Sequence, residues 1–279
     1  MKSAFIFALF TFICIQATYS QKEANSNDST KVIWNNSTAK TLAPSRIEYG
    51  IFSPLSIGLK HNMELSVLPL TFFVMPNAQL KKNWTKDNES QWQLATEHGF
   101  TMPTLLMSLM ATEGTIALYP PNEKAPPVFT IKNSIIGSYF YLEDHAVTFK
   151  AGFEFNLLGG QYGNFPEVEL LYIYPRTASY SNPFTLDVSV GLAGNFTQKM
   201  GYDGALTLFY IPNSTNTMVF EFNPKLYYTF SNKLRMAAGV NLTAGNVPHE
   251  KQAFRALPFA DLQWTMFQNR SEKRHSKQE

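Results

Sequence analysis

From Thr217 to Phe230 the residues alternate without a break. Met218, Phe220, Phe222, Leu226, Tyr228 and Phe230 fall on one face, and Thr217, Glu221, Asn223, Lys225 and Thr229 on the other. After Ser231-Asn232, which reads as a turn, Leu234, Met236, Ala238, Val240 and Leu242 stand opposite Lys233, Arg235, Asn241 and Thr243. Successive side chains of a strand point to opposite faces of a sheet, so a period of two specifies β-structure. Strands of globular proteins average roughly five or six residues. These runs instead approach the roughly 9–11 residues that a strand needs to cross a bilayer at a tilt.

The unit recurs along the chain. Strands are expected over Ser45–Leu55, Met63–Val74, Ala78–Trp84 and Gln91–Phe100, the first two separated by a turn at Gly58–Asn62. Further strands are expected over Val128–Tyr141, Ala146–Leu157, Glu167–Arg176, Phe184–Leu192 and Tyr202–Ile211. The alternating pair described above and a last strand, Leu257–Phe267, complete the set. Glu143-Asp144-His145 reads as a turn, and the prolines between Tyr119 and Pro127 require a loop. Pro103–Thr112 does not alternate. It reads as a short helix in the lumen or at the rim of a barrel, or else as the start of a strand that continues to Leu118. The total is twelve strands, with ten or fourteen if weak strands have been merged or split; single-chain bacterial barrels have an even number.

The ends of the chain carry address-like features. Lys2, the apolar run Ala4–Ile15 and the small residues of Thr18-Tyr19-Ser20 read as a signal peptide over 1–20. Its apolar run is short of the ~20 residues of a spanning helix. The single cysteine, Cys14, lies within it, so the rest of the chain has no disulfide framework. Residues 21–43, polar and without periodicity from Lys22 to Lys40, read as a flexible periplasmic leader, 44–267 as the barrel and 268–279 as a polar tail. Charged residues make up 16% of the chain and the formal charge is +2, which gives no electrostatic case for nucleic acid. The mean hydropathy is slightly negative, as expected where half of each strand meets lipid and half a lumen.

A sheet in a bilayer must close on itself, because lipid satisfies no backbone N–H or C=O. The apolar half of each strand then faces lipid and the other half the lumen. This places Glu48, Lys150, Glu154, Asp187, Asp203, Glu221, Lys225, Arg235 and Asp261 as lumen-lining candidates, mixed in sign. Aromatic residues gather near expected strand ends, as in interfacial girdles. The same alternation would also suit a soluble β-sandwich.

The export signal, the alternating strands and a terminal strand with Trp264 and Phe267 together resemble Gram-negative outer-membrane β-barrel proteins of the porin-like or transporter-like kind. The resemblance implies a closed antiparallel transmembrane β-barrel in the outer membrane, in contact with its lipids and with the barrel-assembly machinery. It also implies a passive channel or transporter for an unspecified small solute. Barrels of this kind often end on an aromatic residue, whereas here Gln268–Glu279 follows Phe267. The alternatives are a structural or adhesive barrel acting through its loops and a lipid-modifying enzyme.

The enzyme reading would need a His–Ser pair at the outer rim, oriented by a third polar group. His98, in Glu97-His98-Gly99, is the most interesting of the five histidines, but Ser90 and Ser108 make no recognisable motif with it, and it reads as a rim or loop residue. His145 and His249 fall in expected loops and His275 in the tail. No spacing of His, Cys, Asp or Glu suggests a metal site, and no cofactor is expected. Asn-x-Ser/Thr triplets begin at Asn36, Asn83, Asn195, Asn213 and Asn241; in an Asn- and Thr-rich barrel they read as chance.

Overall fold

The computed structural model describes residues 34, 37–85, 90–110, 127–142, 144–159, 180, 182–212, 218–247 and 250–266. Its strands are β1 (Ile47–Gly50), β2 (Leu55–Leu59), β3 (Met63–Val67), β4 (Asn77–Asn83), β5 (Trp92–Thr101), β6 (Val128–Leu142) and β7 (His145–Leu158). They continue with β8 (Phe184–Asn195), β9 (Met200–Tyr210), β10 (Met218–Phe222), β11 (Lys225–Ser231), β12 (Leu234–Val247) and β13 (Glu250–Met266). Two short helices, α1 (Pro69–Phe72) and α2 (Thr104–Met110), lie in connections. All pairings are antiparallel, and β1 pairs with β13, from Ile47↔Met266 to Gly50↔Gln263, so the sheet closes. β10 and β11 are halves of one strand, since each pairs with β9 on one side and β12 on the other. The result is a closed twelve-stranded antiparallel barrel, the architecture of outer-membrane β-barrels.

The break between β10 and β11 falls at Asn223-Pro224. Proline has no N–H for the ladder, but its C=O accepts the Val240 N–H at 3.2 Å and the Asn223 N–H reaches the Ala205 C=O at 2.9 Å. Alternation therefore runs through the interruption: Met218, Phe220, Phe222, Leu226, Tyr228 and Phe230 are all exposed. The same holds for Phe149, Phe153, Phe155, Leu186, Val188, Val190 and Leu192 on β7 and β8. The exposed face is apolar and the sheltered face polar, the inverse of a soluble sandwich and the arrangement lipid requires.

An even number of strands brings both ends of the ring to one rim, which carries short connections such as residues 60–62, 143–144 and 232–233. Near it lie the stacked pair Tyr49–Trp264 and the tilted pair Trp92–Tyr139, whose centroids are 5.4 and 4.8 Å apart, together with exposed Trp84 and Tyr228. Toward the opposite rim, with its longer connections, lie Phe129, Phe155, Phe184 and Tyr210. These two bands have the placing of interfacial girdles.

The twelve strands are not the twelve read from the sequence. Ser45–Leu55 is broken at 51–54 into β1 and the start of β2. The strand expected over Met63–Val74 stops at Val67, because Pro69 opens α1. The strand expected over Glu167–Arg176 lies outside the described residues, and β7 pairs directly with β8, so the ring closes without it. The last strand starts at Glu250, seven residues before the expected Leu257. Pro103–Thr112 contains α2, as the helical alternative has it. The expected signal peptide, the tail, Cys14, His249 and His275 lie outside the described residues.

Candidate functional site

The inner face is polar because each inward position belongs to a strand whose other face must be apolar. Across β3, β4 and β5 the register sets Glu64 beside Lys81 and Lys81 beside Glu97, a ladder of alternating sign. Glu97 accepts from Lys150 on β7 and from Ser134 Oγ at 3.1 Å. Farther up, Lys132 Nζ meets Glu154 Oε1 at 2.5 Å. Thr130 donates to Asn156 at 2.5 Å, both fully buried. These contacts join neighbouring strands through side chains as well as through the backbone.

All nine lumen candidates are on this face. Lys150 and Glu154 are bound as above. Asp187 lies over Gly152, where a Cβ would stand 2.5 Å from its Oδ1. Lys225 is in register with Asp203, a pair of opposite sign. Glu221 accepts from Asn223 Nδ2 at 2.6 Å, and Glu48 binds Arg46 at 2.6 Å. Arg235 Nε donates to Gln263 at 2.5 Å. Asp261 accepts from Ser53, from Gln263 at 3.1 Å and from the Phe52 N–H at 3.0 Å. They do not converge on one centre; they line the wall at several heights. Glu64, Lys81, Asn83 and Lys132, absent from the expected set, belong with them. Lys81-Lys82 shows why: in a short strand two adjacent lysines must point opposite ways, and only the register says which points in.

Part of the segment expected to be a periplasmic leader occupies this interior. The Ser37 N–H donates to Asp203 Oδ2 at 3.0 Å, the Ala39 N–H to Ser138 Oγ at 2.8 Å and the Leu42 N–H to Glu64 Oε2 at 2.9 Å. In return Lys81 Nζ donates to the Thr38 C=O at 2.5 Å, and Asn83 Nδ2 to the Ala39 C=O at 3.2 Å. Trp34 lies under two guanidinium groups, with Arg235 Cζ at 4.5 Å and Arg46 Cζ at 5.9 Å from the indole centroid. Ala39 and Leu42 are buried. The expectation of a leader outside the barrel is therefore corrected for Trp34 and residues 37–43: they cross the lumen near the short-turn rim, touching β3, β4, β6, β9 and β12. Gly58 on β2 permits the exit, since a Cβ there would come 2.0 Å from the Ala43 C=O. Above this crossing is a cavity of about 230 Å³, floored by Ser37 and Thr38 and walled by Lys81, Glu97, Lys150 and Asp203 among others.

His98 and His145 are not where the sequence reading puts them. His98 is neither at a rim nor in a loop: it is on the outer face of β5, with Nδ1 2.7 Å from Asn133 Oδ1 and Nε2 3.2 Å from Thr96 Oγ1. His145 begins β7 rather than sitting in a turn; it is buried, with Nδ1 2.9 Å from the Tyr202 hydroxyl. Asn83 and Asn241, each opening an Asn-x-Thr triplet, are buried on the inner face. Among the described residues there is no group of three or more His, Cys, Asp and Glu that could hold a metal ion.

No family model matches the chain, and no curated protein matches it significantly. Solved structures do. A KdgM porin in complex with disordered oligogalacturonate aligns at 9% identity and a TM-score of 0.43, covering 80% of this chain and 97% of its own. The in-vitro folded trimer form of OmpT, an outer membrane protein of Vibrio cholerae, aligns at 9% identity and 0.43, covering 76% of this chain and 64% of its own. Outer-membrane expressed OmpT of Vibrio cholerae aligns at 10% identity and 0.42, covering 90% of this chain and 73% of its own.

Proposed function

We propose that this outer-membrane β-barrel is a passive channel or transporter for small solutes, closed near its short-turn rim by Trp34 and residues 37–43. One observation carries the reading. The inner face holds charged side chains around a cavity, and the described part of the peptide that floors that cavity is held by reversible hydrogen bonds, cation–π contacts and the packing of Ala39 against Ala95 and Ile136, with no covalent tie among them. Net hydrogen bonds are worth about 0.5–1.5 kcal/mol each, and about 1.5–3 kcal/mol when one partner is charged. Such a plug is held firmly and is still displaceable. The nine inward charged residues would then line the path, with mixed signs giving weak ion selectivity. Catalysis is not part of the proposal, since His98 has Asn133 and Thr96 as partners on the outer face.

The test is single-channel conductance in a planar bilayer. The full chain should open rarely and briefly. Lys81→Ala combined with Trp34→Ala should raise the open fraction at least tenfold, and Lys150→Glu in that background should shift selectivity toward cations. Folded barrels that conduct in none of these forms would sink the channel reading. A second reading, a structural or adhesive barrel acting through its loops, is favoured by the small size of the cavity, and silent barrels would support it.

A further inference from the structure

The ring closes unevenly. β13 has seventeen residues, and its neighbour β1 has four. β2 and β3 have five each, about half the 9–11 residues that a tilted strand needs to span a bilayer. β13 pairs with β12 along nearly its whole length, but with β1 only over Gln263–Met266. Among the described residues the last main-chain bond toward β1 is from the Ile51 N–H to the Leu262 C=O, at 3.2 Å. Among the described residues the wall made by β1, β2 and β3 therefore ends partway up, and no described strand pairs with the edge of β13 above it.

Pro258 independently marks this edge. Its register partner is Val240, whose N–H points the other way, to Pro224. The Val240–Pro258 pair is thus a non-hydrogen-bonded one, and the nitrogen of Pro258 faces the open side. Proline in a sheet is confined to such edges. It also removes a donor from the middle of the edge, which disfavours pairing with a strand of another chain.

The side chains beside the gap break the polar-inside rule. Leu257 and Phe259 are in register with Asn241 and Gly239, so they face inward. A Cβ on Gly239 would meet the Phe259 ring at 2.8 Å, so the glycine lets the ring lie against the wall. Leu257 is 44% exposed although it points inward. Ile51 and Phe52, which follow β1, and Leu70, Phe72 and Phe73 at α1 are exposed. An open backbone edge at membrane depth is tolerated only where it lines a cavity or is covered. A molecule that satisfies both the polar edge and the apolar side chains is an amphiphile.

We propose that the gap between the upper part of β13 and the low wall of β1, β2 and β3 is a lateral opening through which the acyl chain of a membrane amphiphile enters the lumen, against Leu257 and Phe259. The opening is independent of the aqueous path proposed above, because a barrel that passes no ions can still admit a chain from the side.

The test places a bimane label on a single cysteine in a Cys14→Ser background, in vesicles of phosphatidylcholine carrying a nitroxide at mid-chain. Leu257→Cys should lose at least half its fluorescence, as the outward control Leu186→Cys does, whereas Ser189→Cys, on the inner face away from the gap, should keep its signal. Nitroxide stearic acid added to unlabelled vesicles then separates the sources: quenching in this arm identifies a free fatty acid as a guest, and quenching by labelled lipid alone identifies the bilayer's own chains. A Leu257→Cys label as bright as the Ser189→Cys label, or equal quenching of both, overturns the opening. So does an efficient disulfide-linked dimer of Ala260→Cys, which would mean that a second copy covers the edge.

Discussion

Residues on the two faces of this wall obey opposite rules, and neighbours test them. Val188 points outward and is 57% exposed, while Ser189 points inward beside Lys150. Val188→Arg should lower stability in lipid by about 2–4 kcal/mol, the cost of an outward Arg at mid-depth. Ser189→Arg should cost far less, and urea unfolding in vesicles compares the two. Glu97 carries a second test. Its carboxylate accepts from Lys150, Lys81 stands beside it in register, and both ammonium groups need an anion. Glu97→Ala should cost about 1–3 kcal/mol by leaving donors without their acceptor, and Lys150→Met in the same chain should recover part of that loss. Equal losses in the single and double variants would deny the coupling.

At the scale of elements, Pro69 and Pro258 act through what they lack. Pro69 stops β3 and starts α1, which keeps that side of the wall low. Pro258 keeps the edge of β13 from serving as a template. Pro258→Val restores an N–H to that edge, so concentration-dependent dimers should appear on cross-linking in detergent, where the native chain shows fewer. The N-terminal crossing behaves as an element without regular structure. Its backbone groups are satisfied by Glu64, Lys81, Asn83, Ser138 and Asp203, side chains from four strands. Asn83→Leu removes one donor, and limited proteolysis should then cut near residues 37–43 faster than in the native chain.

The whole molecule is a ring that must satisfy closure. β1 finds β13 across more than two hundred residues of sequence, and β10 and β11 act as one strand although a proline divides them. The strand count matched the sequence reading through compensating differences. One expected strand became β1 and β2, and another, Glu167–Arg176, lies outside the described residues, while β7 pairs directly with β8.

The sequence by itself determined the class, the alternation and the assignment of faces. Period two is a property of consecutive residues, and the contrast between lipid and lumen writes it into every long strand. Met218–Phe230 and Ala146–Leu157 were therefore legible, and Glu48, Lys150, Glu154, Asp187, Asp203, Glu221, Lys225, Arg235 and Asp261 share one face of the sheet as the alternation requires; that they line a solute path is the proposal that conductance tests. The strands of four or five residues were not, because so few positions carry little periodicity and a turn or a helix fits them as well. Tertiary structure alone decided which of Lys81 and Lys82 faces the lumen, that His98 faces outward, and that polar residues 37–43 lie inside the ring. These outcomes depend on partners distant in the chain: a polar segment is stable in the interior only where carboxylates, amides and ammonium groups from several strands converge to satisfy its backbone.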